Sequence, residues 1–491
     1  MLLLVRQFNV IMALGLIVAT IYTCWKGATL SYHLHTSPPE IKPSIVHYTY
    51  PGQNLVFDRR SYENDLRAYV VCDRQPRVVV DERRRYLDCE VNLDDRKGQR
   101  YQCPIMLRIN RRSTGYVTPG TMKVRLLGKN KTILSWYDYS MPMSAANRWR
   151  LFVVHLEDCL VQEAAAEQLS QLRPYGFVVY DETRFAAIVI SDNPASKCYV
   201  GPMQINQVTI CRLGFDADRL QNADGPYLWF EQSQRDNAMT VAPLVDGDPT
   251  SDHLVVEHFI DPASGFLIAG VSLVVGNRHD KNPATLARYR LLDSFEYRRG
   301  ADPTERLAYS TRNGFLSICA KVLRGDDDPP SVRYWLTCAQ WDRRGRLRYE
   351  HKFQPKYPHL NEIAVLNVAD TDGDMLVLTA QCDEATCLRA ENRMIWLTRM
   401  TRRGLRILTG WLDKYGCDGR TYRADLQVFQ REEDGLYCVS QVCYQDFWAN
   451  PNKNRTSEFA FETKCFGLGN QWRKIPPIVN GSHGNNVYTF S

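Results

Sequence analysis

The stretch GFLSICAKVLRGDDDPPSVRYWLTCAQWDRRGRLR, residues 314–348, decides the fold. It holds two apolar runs: Gly314 to Leu323, and the alternating Val332, Tyr334, Leu336 and Cys338. A loop rich in Asp and Pro separates them, and a glycine-tipped turn follows at Arg343, Arg344 and Gly345. Short apolar or alternating runs bounded by Gly, Pro and Asp read as strands joined by turns. The same scheme recurs along the C-terminal half. Gly265-Phe-Leu-Ile-Ala-Gly-Val-Ser-Leu-Val aligns with the Gly314 run, and Met375 to Cys382 and Leu436 to Cys443 continue the series. The spacing is roughly 50 to 60 residues, near the period of propeller and array repeats. The turn recurs as Arg298-Arg299-Gly300 and Arg402-Arg403-Gly404, with Gly467-Leu-Gly469 at that place in the fourth unit. Trp335-Leu-Thr337 likewise returns as Trp396-Leu-Thr398.

A lead strand, a second strand, a glycine-tipped hairpin and a returning strand form one antiparallel four-stranded unit. Such a unit cannot bury both faces alone, so neighbours stack on it, and a β-propeller leaves only short protected edges. The reading is therefore an all-β, disulfide-bonded, β-propeller-like ectodomain over residues 44–491, with about six repeats, clearest over 262–491. Tandem β-sandwiches are the alternative. The blade signatures GH…WD, kelch double glycine, Asp-box and YWTD are absent from the sequence. One segment departs from strand patterning. In Asp158 to Leu172 the apolar residues fall on one helical face, which predicts a helix ended by Pro174 and Gly176.

Outward from the repeats, Val10 to Trp25 carries no charge, and Arg6 precedes it. The run lies between a signal-peptide core and a spanning helix in length, and no small-x-small cleavage site follows. It reads as a type II signal anchor, with residues 1–9 as a cytoplasmic tail and the C-terminal part outside the cytoplasm. A cleaved signal peptide, and so a secreted structural or matrix protein, is the alternative. Residues 26–43 contain a proline-rich stem. Of the 15 cysteines Cys24 lies in the apolar run, leaving 15 − 1 = 14, an even number suited to disulfides in an oxidising compartment. The sequons at Asn130, Asn454 and Asn480 predict glycosylation. Cell surface and Golgi or ER membrane both fit this topology. The layout of anchor, stem and disulfide-bonded propeller resembles that of attachment proteins of some enveloped viruses, whose sialidase motifs are absent here.

Two groups of residues carry candidate chemistry. Asp370, Asp372 and Asp374 alternate, so they suit a divalent cation, as in a lumenal carbohydrate-active enzyme of glycosyltransferase type. The plainer reading is an Asp-Gly turn before the strand at Met375, with at most a structural cation. Arg298, Arg299, Arg343, Arg344, Arg402 and Arg403 stand at equivalent turns, which a propeller brings to one face. Such a basic rim suits an anionic glycan, a phospholipid head group or an acidic protein. Net charge is only +6, too mild for a nucleic-acid partner. Arg324-Gly325-Asp326 lies in the Asp/Pro loop as a chance-level motif. HExxH, GxSxG and P-loop motifs are absent, so the sequence supports a binding protein over a hydrolase. A cofactor is not expected.

Overall fold

Strands dominate the chain because its apolar residues occur in short runs broken by turn residues, a pattern that buries well only when sheets stack. The computed structural model describes residues 40–51, 53–63, 66–73, 77–79, 84–94, 100–109, 122–138, 141–142, 145, 148–191, 193, 195–196, 198, 208–232, 238–243, 248, 250–261, 263–274, 284–293, 307–323, 334–355, 359–369, 371–382, 393–412, 423–430, 435–444, 456–466 and 487–489. Among these, thirty strands form seven sheets.

Strand β1 (Glu40–Pro51) belongs to the last sheet. Sheet 1 contains β2 (Gln53–Glu63), β3 (Leu66–Asp73), β4 (Arg77–Val79), β5 (Arg84–Asp94) and β6 (Arg100–Ile109). Sheet 2 contains β7 (Met122–Leu127), β8 (Lys131–Tyr137), β9 (Trp149–His155) and β10 (Leu160–Glu163). Sheet 3 contains β11 (Leu172–Val179), β12 (Arg184–Ser191), β13 (Val208–Asp216) and β14 (Gln221–Gln232). Sheet 4 contains β15 (Ala238–Pro243), β16 (His253–Ile260), β17 (Leu267–Val274) and β18 (Ala284–Leu292). Sheet 5 contains β19 (Leu307–Ser310), β20 (Leu316–Leu323), β21 (Tyr334–Trp341) and β22 (Leu347–Gln354). Sheet 6 contains β23 (His359–Asn367), β24 (Met375–Cys382), β25 (Arg393–Thr401) and β26 (Gly404–Leu412). Sheet 7 contains β27 (Arg423–Gln430), β28 (Tyr437–Tyr444) and β29 (Thr456–Phe466), with β1 completing it beside β29. The short β30 (Val487–Thr489) adds in parallel to β22.

Each sheet lies on the next through apolar side chains. Val70 and Leu87 of sheet 1 meet Val124 and Leu134 of sheet 2. Trp149 and Leu151 of sheet 2 meet Phe185 and Leu213 of sheet 3. Ile188 meets Val255 across sheets 3 and 4, and Val256 meets Ile318 across sheets 4 and 5. Leu336 meets Val377 across sheets 5 and 6, and Leu378 meets Val439 across sheets 6 and 7. Strand β2 of sheet 1 contacts β27 and β29 of sheet 7, so the succession returns to its start. The first strands of successive sheets touch one another in at least five of these junctions, β2 with β7, β11 with β15, β19 with β23, β23 with β27 and β27 with β2, which puts them innermost. The architecture is all-β and β-propeller-like. Strands buried on both faces explain the continuous apolar runs: all eight residues of β24 are buried, alternately toward sheets 5 and 7.

Disulfides reinforce single sheets. Cys72–Cys89, Cys319–Cys338 and Cys438–Cys465 each join the second strand of a sheet to the third, between residues directly opposite in register. Their Cα–Cα distances of 4.0, 4.1 and 4.0 Å match the close, non-hydrogen-bonded antiparallel site. Cys198–Cys211 closes the β12–β13 connection, and Cys103–Cys159 links sheet 1 to sheet 2. Cys382 is also disulfide-bonded. Closing loops of this size is worth about 3 kcal/mol each in the chain-entropy account. These bonds identify a domain that forms in an extracellular or secretory-pathway setting.

Several expectations change. The described sheets number seven, where about six repeats were expected, because the N-terminal half folds into sheets as regular as the C-terminal ones. The predicted helix at Asp158 to Leu172 is instead β10, then one helical turn, α1 (Ala166–Leu169). Pairing of Leu160–Glu163 with β9 outweighs helical periodicity there. The Gly265 run is the third strand of sheet 4, whereas the Gly314 and Met375 runs are second strands, so that alignment is one strand out of step. Strand β1 begins at Glu40, inside the stretch read as stem. The anchor at 10–25 and tail at 1–9 lie outside the described residues. Among the described residues no helix is long and apolar enough to cross a membrane.

Candidate functional site

Antiparallel order puts the turns between first and second strands, and between third and fourth, at the same end of sheets 2 to 6. The tip at Arg343–Gly345 joins β21 to β22, and the tip at Arg402–Gly404 joins β25 to β26. These are equivalent third-to-fourth turns of adjacent sheets. The acidic turn joins β23 to β24 and emerges at that same end. Arg298 and Arg299 lie outside the described residues and follow β18, so their chain position is not that of a third-to-fourth turn.

Local chemistry fixes each tip. The Asp342 carboxylate accepts backbone N–H bonds from Arg344 and Arg346, both at 2.9 Å, and pairs with the Arg346 side chain at 2.8 Å. Slight burial pushes the Asp342 carboxyl upward, but the bonds from Arg346 and Arg344 outweigh it and hold the group below its ordinary range. Gly345 takes φ +71°, a conformation costly for other residues. In sheet 6 the Thr401 hydroxyl accepts the Arg403 N–H at 3.1 Å.

Strand β22 then clamps the two hairpins together. Arg348 reaches Asp372 at 2.8 Å, the Tyr349 hydroxyl donates to the Gly373 carbonyl at 2.9 Å, and His351 Nε2 meets the Thr401 carbonyl at 2.7 Å. Arg348 also lies over the Phe315 ring, 4.7 Å from its centroid. Gly373 is required at its position: φ is +76°, and a Cβ would come within 2.4 Å of both Arg348 Nη1 and Gln340 Oε1. Asp374 pairs with Arg399, whose Nε lies at 2.9 Å, and both side chains are largely buried. Below them Asn367 ends β23 with its side chain inserted into sheet 5. Its amide donates to the carbonyls of Ser310, Arg312 and Phe315, and its Oδ1 accepts from the Ser317 hydroxyl.

The acidic triplet is thus an inter-sheet clasp in its described part. Asp372 and Asp374 each hold a different guanidinium, and Asp370 lies outside the described residues. Among the described residues no group of three or more His, Cys, Asp or Glu side chains gathers as a metal site would require. Four arginines remain at the surface. Arg343, Arg344, Arg402 and Arg403 are exposed and have no carboxylate partner among the described residues, while Arg346, Arg348 and Arg399 are each neutralised. At the same end of sheets 2 and 3 the exposed charges are mixed: Lys129, Arg184 and Arg219 stand among Glu157, Asp158, Glu182 and Asp218. Among the described residues of sheets 2, 3, 5 and 6, the exposed arginines without a carboxylate partner cluster on sheets 5 and 6.

Asn130 occupies the β7–β8 turn at this end, three sheets from the patch in either direction around the succession. Asn454, Asn480 and the Arg324-Gly325-Asp326 triplet lie outside the described residues. Sequence reading missed Tyr349, His351 and Asn367. Only the regular polar interruption of apolar strands hinted at them.

The sequence matches no known family, and no curated protein matches it. Among solved structures, the chain is similar to a subtype N11 neuraminidase-like protein of A/flat-faced bat/Peru/033/2010 (H18N11), at 10% identity and TM-score 0.34. That alignment covers 75% of this chain and 94% of that one. It is also similar to the GH93 α-L-arabinofuranosidase of Fusarium graminearum, at 9% identity and TM-score 0.36, covering 72% and 95%. At this distance the likenesses carry no argument about activity.

Proposed function

We propose that this chain is an extracytoplasmic, membrane-anchored glycoprotein that binds an anionic partner through the hairpin ends of sheets 5 and 6. The observation that carries the reading is the contrast among neighbouring arginines. Arg346, Arg348 and Arg399 are each matched by an aspartate, whereas Arg343, Arg344, Arg402 and Arg403 are exposed at two clamped turns with no carboxylate partner among the described residues, Arg343 lying against Gly314. Unmatched surface guanidinium groups on fixed backbone favour phosphate, sulfate or carboxylate ligands, since less ordering remains to be done on binding. The disulfides and the apolar 10–25 segment supply the compartment and the anchor in this account.

Charge reversal tests it. A variant carrying Arg343→Glu, Arg344→Glu, Arg402→Glu and Arg403→Glu should elute from a sulfated resin at much lower salt than the wild type, with unchanged thermal stability. Equal elution of the two folded proteins would remove the reading.

A further inference from the structure

We infer that the anionic partner is a linear sulfated polysaccharide that spans both arginine hairpins at once; this rests on the reading above. Three features select that class. The hairpins belong to adjacent stacked sheets, and such sheets lie about 10 Å apart. The four arginines therefore come as two pairs on turns spaced by about that distance, wider than one sulfate or carboxylate group. A chain with repeated sulfates reaches both pairs, and the second contact is then intramolecular, which multiplies affinity.

The arginines also sit on protruding turns. A single acidic sugar is held in a concave site with buried polar groups converging on it, whereas Arg343, Arg344, Arg402 and Arg403 are exposed at turn tips. Guanidinium forks match sulfate oxygens well without such a pocket.

Finally, the surroundings are poor in apolar anchors. Protein interfaces concentrate their energy in buried aromatic or aliphatic residues, and membrane surfaces take up apolar side chains. Beside these hairpins Leu347, 54% exposed, is the one large exposed hydrophobic among the described residues. The carboxylates among the exposed charges of sheets 2 and 3 make those turns less favourable to a polyanion than the arginine hairpins of sheets 5 and 6.

Size-defined heparin oligosaccharides test this, with sialyllactose and polyglutamate as the competing classes. The wild type should bind an octasaccharide at least about tenfold more tightly than a disaccharide. Removing one pair (Arg343→Ala with Arg344→Ala, or Arg402→Ala with Arg403→Ala) should abolish that length dependence. Affinity independent of length, or tighter binding of sialyllactose or polyglutamate, would overturn the inference. Those results leave the broader reading standing if the four-arginine variant loses whichever anion the wild type prefers. If that variant binds every probe as the wild type does, both fall.

Discussion

Arg348 of β22 crosses from sheet 5 to hold Asp372 of sheet 6 at 2.8 Å, while stacking on Phe315 of its own sheet. The pair explains two things together. It engages a carboxylate of the sequence Asp370-x-Asp372-x-Asp374 with a guanidinium, and it ties sheet 5 to the acidic turn of sheet 6. Tyr349 and His351 extend the same clamp, with the His351 imidazole pushed below its ordinary range by burial and so kept neutral against the Thr401 carbonyl.

The two aspartates should differ sharply when removed. The Asp372 side chain is 88% exposed, so Asp372→Ala should cost no more than about 1 kcal/mol in denaturant unfolding. Asp374→Ala removes the carboxylate that Arg399 holds in a largely buried site and should cost about 3 kcal/mol. A chelator should leave the melting temperature of the wild type unchanged. A fall of several degrees that calcium restores would show that a cation holds this turn.

Asn367 should be the least replaceable polar residue of the junction. It is 2% exposed, and Asn367→Leu would remove its bonds to three carbonyls and to the Ser317 hydroxyl, which would keep the Gln340 amide as its donor. Unpaired buried groups cost about 1–3 kcal/mol each, so the variant should lose at least about 3 kcal/mol. A loss below about 1 kcal/mol would contradict the hub.

The pH dependence follows from sheets 3 and 4. His253 is 1% exposed, touches the Tyr180 hydroxyl at 3.1 Å, and is pushed down to about 4, by burial first and then by Arg212. A depressed pKa gives stability that is complete above the unfolded value near 6.5 and is lost as pH falls toward 4. The loss amounts to roughly 3 kcal/mol. Glu257 on the same strand acts in the opposite sense: burial raises it to about 7, so its contribution is full below its unfolded value and falls as pH rises through 7. Melting curves of His253→Gln should therefore show a shallower decline between pH 6.5 and pH 4 than the wild type. Parallel curves would mean that His253 does not titrate as described.

Sheets 5 and 6 were legible because both repeat the same order of apolar strand, turn and glycine tip. The equivalence of the Arg343 and Arg402 turns survives in the structure. The register of the Gly265 run did not, since second and third strands are both buried on two faces and read alike. Residues 158–172 were misread because helical spacing is a local signal, while the pairing of Leu160 with His155 is set by the fold. Nothing local announces that β1 completes the sheet of β29, hundreds of residues away, or that Asn367 reaches into sheet 5. The four arginines were visible as residues; only the structure separates them from the neutralised Arg346, Arg348 and Arg399.

Hydrogen–deuterium exchange with and without a sulfated octasaccharide tests the central claim most directly. The account predicts protection at residues 342–346 and 401–404, with the turns of sheets 2 and 3 unaffected. Protection at those other turns, or none at the two arginine hairpins under saturating ligand, would contradict it.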